Sequence, residues 1–505
     1  MSTEVRTGRP VRGLATVVGD LSSVGGARLA VAVLSVAGSS ATTHLLAPAS
    51  YAVIAYMGVG ATLMLVAGSG WTSAAVSRYG REELERTAGM RGVVWARVVI
   101  TIPILIAATA VFVGLQAAGL LPHEFKWPFV WMTLAIGTLG VACDQMIVAL
   151  EAFGRMRAGA RAGTARQAML LVGLVTLVAA ADGARRPPQS VAWLMLAVAL
   201  VLTVALVGAL RGHGLLPPRL EHAQVRRVLV FSLPLVAFSA SQYVMSSIDL
   251  VVLRAFRPAA QVGTYALAYS GYATLASLAA SLTVVLIPLL VSLRVGGRSE
   301  LIVRYFERLL PSAILLACAI GGLLAPIGAL LIPVVFGAGF EGAAEPFAIL
   351  VAAAVLLSTA SCVAPILMLH ERTGATAAIS TGAVAVNVIG DLILVGWVGM
   401  AGDGPALATT AAIALTAGGY ITVARRDLGV GPALSPVLWA PLVAGIVPTT
   451  LGSPPLGLVC AAAGAALVLA LRPPFDAGDA ELVARLDIPT RLRGPLSRMI
   501  IRLAR

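Results

Sequence analysis

The stretch LPLVAFSASQYVMSSIDLVVL, from Leu233 to Leu253, carries a single charge, Asp249, in 21 residues. Coiled as a helix it would be about 31 Å long, close to the thickness of a bilayer's hydrocarbon core. It forms the heart of a membrane span predicted over 228–253, and the rest of the chain has the same character. Of 505 residues, 59% are hydrophobic and only 12% charged, and mean hydropathy is +0.93. A soluble protein is about 25% charged, so this chain has too few polar residues to coat a water-facing surface. It reads as a polytopic membrane protein, which excludes a secreted domain, a cytosolic enzyme and a nucleic-acid-binding module.

Windows of about 20 apolar residues place fourteen spans, at 14–38, 50–75, 93–118, 127–150, 164–182, 190–210 and 228–253, then 261–291, 309–336, 345–369, 375–398, 404–424, 433–451 and 455–472. The net charge of +13 is the Lys/Arg excess expected of cytoplasmic loops. With the N-terminus inside, 29 of the 36 Lys and Arg fall in cytoplasmic segments and 5 in outer loops, while Arg28 and Arg97 lie within spans. That split predicts both termini on the cytoplasmic side. The basic start resembles a signal peptide, but Asp20 and Arg28 interrupt its apolar run and many spans follow, so an uncleaved first helix is expected.

The outer loops are short. Their acids, Glu124, Asp182, Glu341, Glu345 and Asp403, make no paired motif, which argues against a membrane glycosyltransferase or polymerase. Cys143, Cys318, Cys362 and Cys460 sit far apart with no CxxC, so neither a disulfide framework nor a zinc site is encoded. The only lysine, Lys126, is followed by Trp127, which rules out a P-loop.

Two stretches about 210 residues apart are alike. His44-Leu-Leu-Ala-Pro48-Ala-Ser-Tyr51-Ala precedes span 2, and Arg254-Ala-Phe-Arg-Pro258-Ala-Ala-Gln-Val-Gly263-Thr-Tyr265-Ala precedes span 8. Both are followed by a Gly/Ala/Ser-rich helix and an Arg-rich loop. They predict two parallel six-helix repeats, a transporter signature with substrate between the halves. The expected layout is a cytoplasmic head (1–13), an N-lobe (14–212), a C-lobe (213–425), two further helices (426–472) and a basic tail (473–505). In the tail, Leu496, Met499, Ile500 and Leu503 oppose Arg498, Arg502 and Arg505, a pattern expected to lie on an anionic leaflet.

The segment from Leu233 to Leu253, continuing through Gly263 and Tyr265 to Tyr269, resembles the seventh and eighth helices of Wzx-type polysaccharide flippases. The head region is also similar, with Leu45-Leu46-Ala-Pro48-x-x-Tyr51 and Ser77-Arg78-Tyr79. These belong to the multidrug/oligosaccharidyl-lipid/polysaccharide (MOP) exporter superfamily, and the resemblance spans roughly 14–425. It implies an all-α, MATE-like two-lobe fold that flips a polyprenyl-pyrophosphate-linked oligosaccharide by alternating access. Fourteen helices are also similar to the lipid II flippase branch, whose extra pair lines a lipid groove. That branch's denser set of cavity arginines is not seen here, which weighs against it.

Within the spans, Arg28 is costly in hydrocarbon and so a functional candidate; its planar fork suits phosphate, against a structural pairing with Asp20, Asp249 or Asp391. Arg97, about one turn into span 3, reads as a cavity cation or as a side chain snorkelling to the inner interface. Asp249 is expected to pair with Arg254 or Arg28 at an outer gate, or to bind a coupling ion. Asn387 and Asp391 share a helix face and, with Asp144, are the candidates for proton or sodium coupling; interhelical hydrogen bonding is the plainer alternative. Prolines 234, 288, 326, 333 and 365 fall within spans, as bending points or routine features. No resident cofactor or metal, and no nucleic acid, is expected. The expected partners are the lipid-linked sugar, membrane lipids and polysaccharide-assembly enzymes, with the chain acting as a monomer. The alternative function is a cation-coupled multidrug antiporter of the same fold, and a non-transporting scaffold stands as the reading from another class.

Overall fold

The computed structural model describes residues 14–471 except 88, 182, 212–214, 216–220 and 433, with side chains from residue 26 onward save 284, 285, 288 and 471. The head, the basic tail, the Asp182 acid and any pairing of Arg28 with Asp20 fall outside the described residues. What is described is helical, with no strand among the described residues.

Each of the fourteen expected spans falls on a helix. The first lobe holds α1 (Leu14–Leu45), α2 (Pro48–Thr87), α3 (Arg91–Ala117), α4 (Trp127–Ala152), α5 (Met156–Ala179) and α6 (Pro188–Leu210). The second holds α7 (His222–Phe256), α8 (Ala259–Val295), α9 (Ser299–Phe336), α10 (Ala338–Leu369), α11 (Thr373–Trp397) and α12 (Asp403–Leu428). Helices α13 (Pro436–Thr450) and α14 (Pro454–Leu471) follow. Among the described residues ten of these are long and apolar enough to cross a membrane.

The repeat is visible in the packing. In the first half α2 packs on α4, α4 on α6, α1 on α5 and α5 on α6; in the second α8 packs on α10, α10 on α12, α7 on α11 and α11 on α12. Every pairing recurs six helices later in the same sense, the property of parallel repeats. The halves meet where α1 and α2 touch α8 and where α2 and α3 touch α7. Helices α13 and α14 pack on each other and on α9. There the backbones are nearly in contact: a Cβ on Gly322 would stand 2.2 Å from the Pro441 carbonyl oxygen, and one on Gly445 2.0 Å from that of Gly322. Small residues at such crossings are how membrane helices gain packing that lipid cannot offer.

Helix α2 is not continuous. Its long first segment ends at Gly68, a short tight turn spans Gly70–Thr72, and helix resumes at Ser73. Trp71 in that turn is buried and donates to the Ala67 carbonyl. The N-terminus of α3 is held by Glu83, whose carboxylate accepts from the Gly92 and Val93 amides at 2.8 and 2.9 Å, a charge matched to the positive end of a helix.

Candidate functional site

The C-lobe buries a cluster of oxygen-bearing side chains drawn from four helices. Asp249 of α7, Asn387 and Asp391 of α11 and Thr409 of α12 are each no more than 1% exposed, and Tyr265 of α8 is fully buried beside them. The Thr409 hydroxyl donates to Asp249 Oδ2 at 2.7 Å, the Tyr265 hydroxyl donates to the same oxygen, and Asn387 Nδ2 donates to Asp249 Oδ1 and Thr409 Oγ1, both at 3.2 Å. Asp391 lies carboxyl-to-carboxyl against Asp249. Asp391 has only the Asp249 carboxyl as a hydrogen-bond partner, and Asn387 Oδ1 is buried with none. Unpartnered buried oxygens are rare and call for an explanation, and two adjacent carboxyls out of water cannot both carry charge unsupported. A hard monovalent cation, or a proton shared by the two acids, fits this all-oxygen set. Among the described residues no group of three or more His, Cys, Asp or Glu is positioned to hold a metal ion.

The expected pairing of Asp249 with Arg254 is not what the structure shows. The two are five residues apart on one helix, about 140° around its axis, and so face different ways. Arg254 instead reaches out of the C-lobe to Glu124 in the α3–α4 connection, at 2.9 Å from both carboxylate oxygens. Burial pushes the Glu124 carboxyl up, but its hydrogen bonds and the charges of Arg254 and His123 outweigh that and leave it below the ordinary glutamate range.

This ion pair belongs to a closure at one end of the bundle, the end poor in arginine. Tyr51 of α2 meets Phe340 of α10 edge-on with ring centres 5.6 Å apart, and Ser40 of α1 donates to the Val335 carbonyl at 2.7 Å. The two sequence-similar stretches themselves touch here: a Cβ on Gly263 would stand 1.9 Å from the Pro48 carbonyl oxygen. Only glycine allows the lobes to meet so closely. Gly263→Val is therefore expected to wedge this end open. Cysteines placed at Ser40 and Val335 should cross-link readily in the parent chain and at least about tenfold more slowly in the variant, since overpacking costs about 1–3 kcal/mol. Equal rates would show that the lobes do not depend on this contact.

At the arginine-rich end the same two lobes meet through α7. Arg227 pairs with Glu82 at 2.8 Å and lies over the Tyr79 ring at 4.1 Å, while Arg78 covers Phe231. Helix α7 thus carries Arg227 at one end, Asp249 in its interior and Arg254 at the other end.

Arg97 is placed inside the N-lobe, not at an interface. It is 1% exposed, its Nε donates to Thr72 Oγ1 at 2.9 Å, and its Nη2 reaches the Ser69 carbonyl, Ser73 Oγ and Asp144 Oδ2 at 2.8, 2.8 and 2.9 Å. The snorkelling reading fails because the break in α2 turns a carbonyl and two hydroxyls inward, where the guanidinium finds them. Asp144 is thereby an ion-pair partner of Arg97, and its neighbour Gln145 donates to Thr101 at 3.0 Å.

Between the lobes a cavity of about 370 Å³ is lined by Tyr51, Thr62, Ser246, Ser247 and Tyr269 among others. Arg28 lies at the lobe interface, half-buried, its Nη1 3.4 Å from the Ser277 carbonyl of α8. Just beyond it opens an apolar groove of about 960 Å³ whose walls come from α1, α5 and α8, including Leu29, Val33, Val175 and Leu278. Sequence reasoning found Asp249, Asn387 and Asp391 but missed Thr409 and gave Tyr265 no role. Thr409 carried no distinguishing signal, since Thr410, Thr416 and Thr422 share span 12 with it.

Neither a protein-family model nor a curated protein sequence matches the chain. Solved structures do. It is similar to the lipid II flippase MurJ in an inward closed conformation, with a TM-score of 0.66 at 13% identity over 89% of this chain and 99% of that one. It is also similar to an inward-facing multidrug resistance MATE family transporter of the MOP superfamily, with a TM-score of 0.56 at 14% identity over 80% and 98% of the two chains. A eukaryotic MATE transporter matches with a TM-score of 0.53 at 13% identity over 81% and 98%. At such identity the likeness is one of fold.

Proposed function

Starting from the transporter fold of the MOP superfamily, we propose that the chain flips a polyprenyl-pyrophosphate-linked oligosaccharide from the inner to the outer leaflet of a bacterial plasma membrane. The arginine-rich end, with both termini, faces the cytoplasm. A cysteine at Arg298 should accordingly be labelled only in permeabilised cells, and labelling from outside intact cells would reverse the orientation.

The observation that carries this reading is the position of Arg28. It sets a phosphate-binding fork at the seam between the lobes, next in sequence to Leu29 and bonded to Ser277 beside Leu278, two residues that line an apolar groove. A substrate with an anionic headgroup and a long apolar tail matches that juxtaposition, whereas a wholly water-soluble one would leave the groove unused. In the mechanism that follows, Arg28 receives the pyrophosphate as the headgroup enters between the lobes, and the tail stays in the groove. The cation supplies the driving force when it binds the oxygens of Asp249, Asn387, Asp391 and Thr409. Those residues tie α7 to α11 and α12, and α7 also carries the arginines of both closures, Arg227 and Arg254. A change at Asp249 is therefore passed along one helix, directly to Arg254 and through Pro234 to Arg227.

Arg28→Ala should abolish flipping of a lipid-linked oligosaccharide in vesicles while the protein stays folded. Arg28→Lys should keep part of it, because charge survives but bidentate geometry does not. Flipping by Arg28→Ala at the parent rate would place the headgroup elsewhere. One observation favours the second reading, cation-coupled export of small molecules: the 370 Å³ inter-lobe cavity has tyrosines and hydroxyls but no basic lining residue, which suits an aromatic or cationic guest.

A further inference from the structure

One face of α5 continues the groove toward the arginine-rich end. Arg157, Arg161, Thr164 and Ala168 recur at helical spacing and, with Ala27 and Ala160, line a pocket of about 500 Å³. Farther along the same face Leu171, Val175 and Val178 line the 960 Å³ apolar groove. Ala27 lines the basic pocket and Leu29 the apolar groove, so the two meet near residue 28 of α1, whose own side chain lines neither and reaches the Ser277 carbonyl of α8. The small side chains at 27, 160 and 168 are what leave room for a guest beside two guanidinium groups.

We infer that this α1–α5 face is a docking site for the phosphate of a long-chain polyprenyl lipid, occupied before the headgroup reaches Arg28. The inference rests on the lipid-linked substrate proposed above and adds where that lipid is first held. Charge fixes the headgroup: Arg157 and Arg161 are exposed, and arginine forks pair with phosphate oxygens bidentately. Length selects the tail. The α1 wall of the groove runs from Leu29 to His44, about 22 Å along the helix, whereas one leaflet of hydrocarbon is about 15 Å, half of a core of about 30 Å. An ordinary phospholipid chain anchored at Arg161 ends near the midplane and leaves roughly the far third of the groove empty. A polyprenyl chain fills it.

The test uses the full chain in nanodiscs and a photoactivatable polyprenyl monophosphate. The parent protein should cross-link the probe on α5. Arg157→Ala combined with Arg161→Ala should bind it at least about tenfold more weakly, the loss of one charge-assisted hydrogen bond or more. Ala165→Trp, which fills the pocket and leaves every charge in place, should weaken binding as well. Phosphatidylglycerol at equal mole fraction, and millimolar inorganic phosphate, should fail to displace the probe. Displacement by phosphatidylglycerol would reduce the site to a general anionic-lipid contact, displacement by phosphate would make it a soluble-anion site, and unchanged binding in both variants would overturn it. Binding is read without transport, so the two claims separate. A parent chain that binds the probe on α5 but flips nothing keeps the dock and loses the function; one that flips while both variants bind and flip unchanged keeps the function and loses the dock.

Discussion

Asp391→Asn is expected to remove the dependence of transport on a sodium or proton gradient while leaving the protein folded. The substitution is nearly isosteric and takes away one of two adjoining buried carboxyls. The cluster then has no second negative charge to balance a cation, and the remaining acid, Asp249, already has donors in Tyr265, Thr409 and Asn387. Downhill exchange of substrate should persist, and gradient-driven accumulation should fall to the background of protein-free vesicles. Asp249→Asn should do the same and also lower thermal stability, since three donors lose a charged acceptor, each such bond being worth about 1.5–3 kcal/mol. Gradient dependence that survives in both variants would move the coupling site out of the C-lobe.

Arg97→Ala is expected to cost the fold. It would leave Asp144 without its ion-pair partner and strip the Ser69 carbonyl, Thr72 and Ser73 of their shared donor at the break in α2. Arg97 is buried while Asp144 is a third exposed, so the loss falls below the about 3–5 kcal/mol of a fully buried pair but is still a large share of the stability of a typical domain. The variant should give little monodisperse protein in detergent, and Arg97→Lys should recover only part, because an ammonium lacks the planar fork that spans Thr72, Ser69, Ser73 and Asp144 together. A variant lacking the Arg97 side chain that melts like the parent would show that the network is not what holds α2 in its broken form.

The architecture was legible because hydrophobic runs and arginine placement are one-dimensional signals. The break in α2 was not: Gly68-Ser69-Gly70 reads as an ordinary small-residue stretch until Arg97 is seen to hold its carbonyl. The same limit explains the acids. Asn387 and Asp391 could be placed on one helix face from spacing alone, but Asp249 lies 138 residues from Asn387, and only packing brings them together. Proximity along the chain misled in the other direction, since Arg254 is near Asp249 in sequence yet turned away from it. The likeness of the Pro48 and Gly263 stretches was read as a trace of repetition, and it is also a contact, because repeats related by an axis between the lobes bring equivalent segments face to face.

The most direct measurement is translocation of a fluorescent polyprenyl-pyrophosphate-linked oligosaccharide across vesicles containing only this protein, with a sodium or proton gradient imposed. Dye on the far leaflet is shielded from a membrane-impermeant quencher, so the protected fraction reports flipping. The account predicts that protection grows with time, rises with the gradient and disappears in Arg28→Ala. No gain in protection over empty vesicles, together with gradient-driven export of a small organic cation by the same preparation, would contradict it.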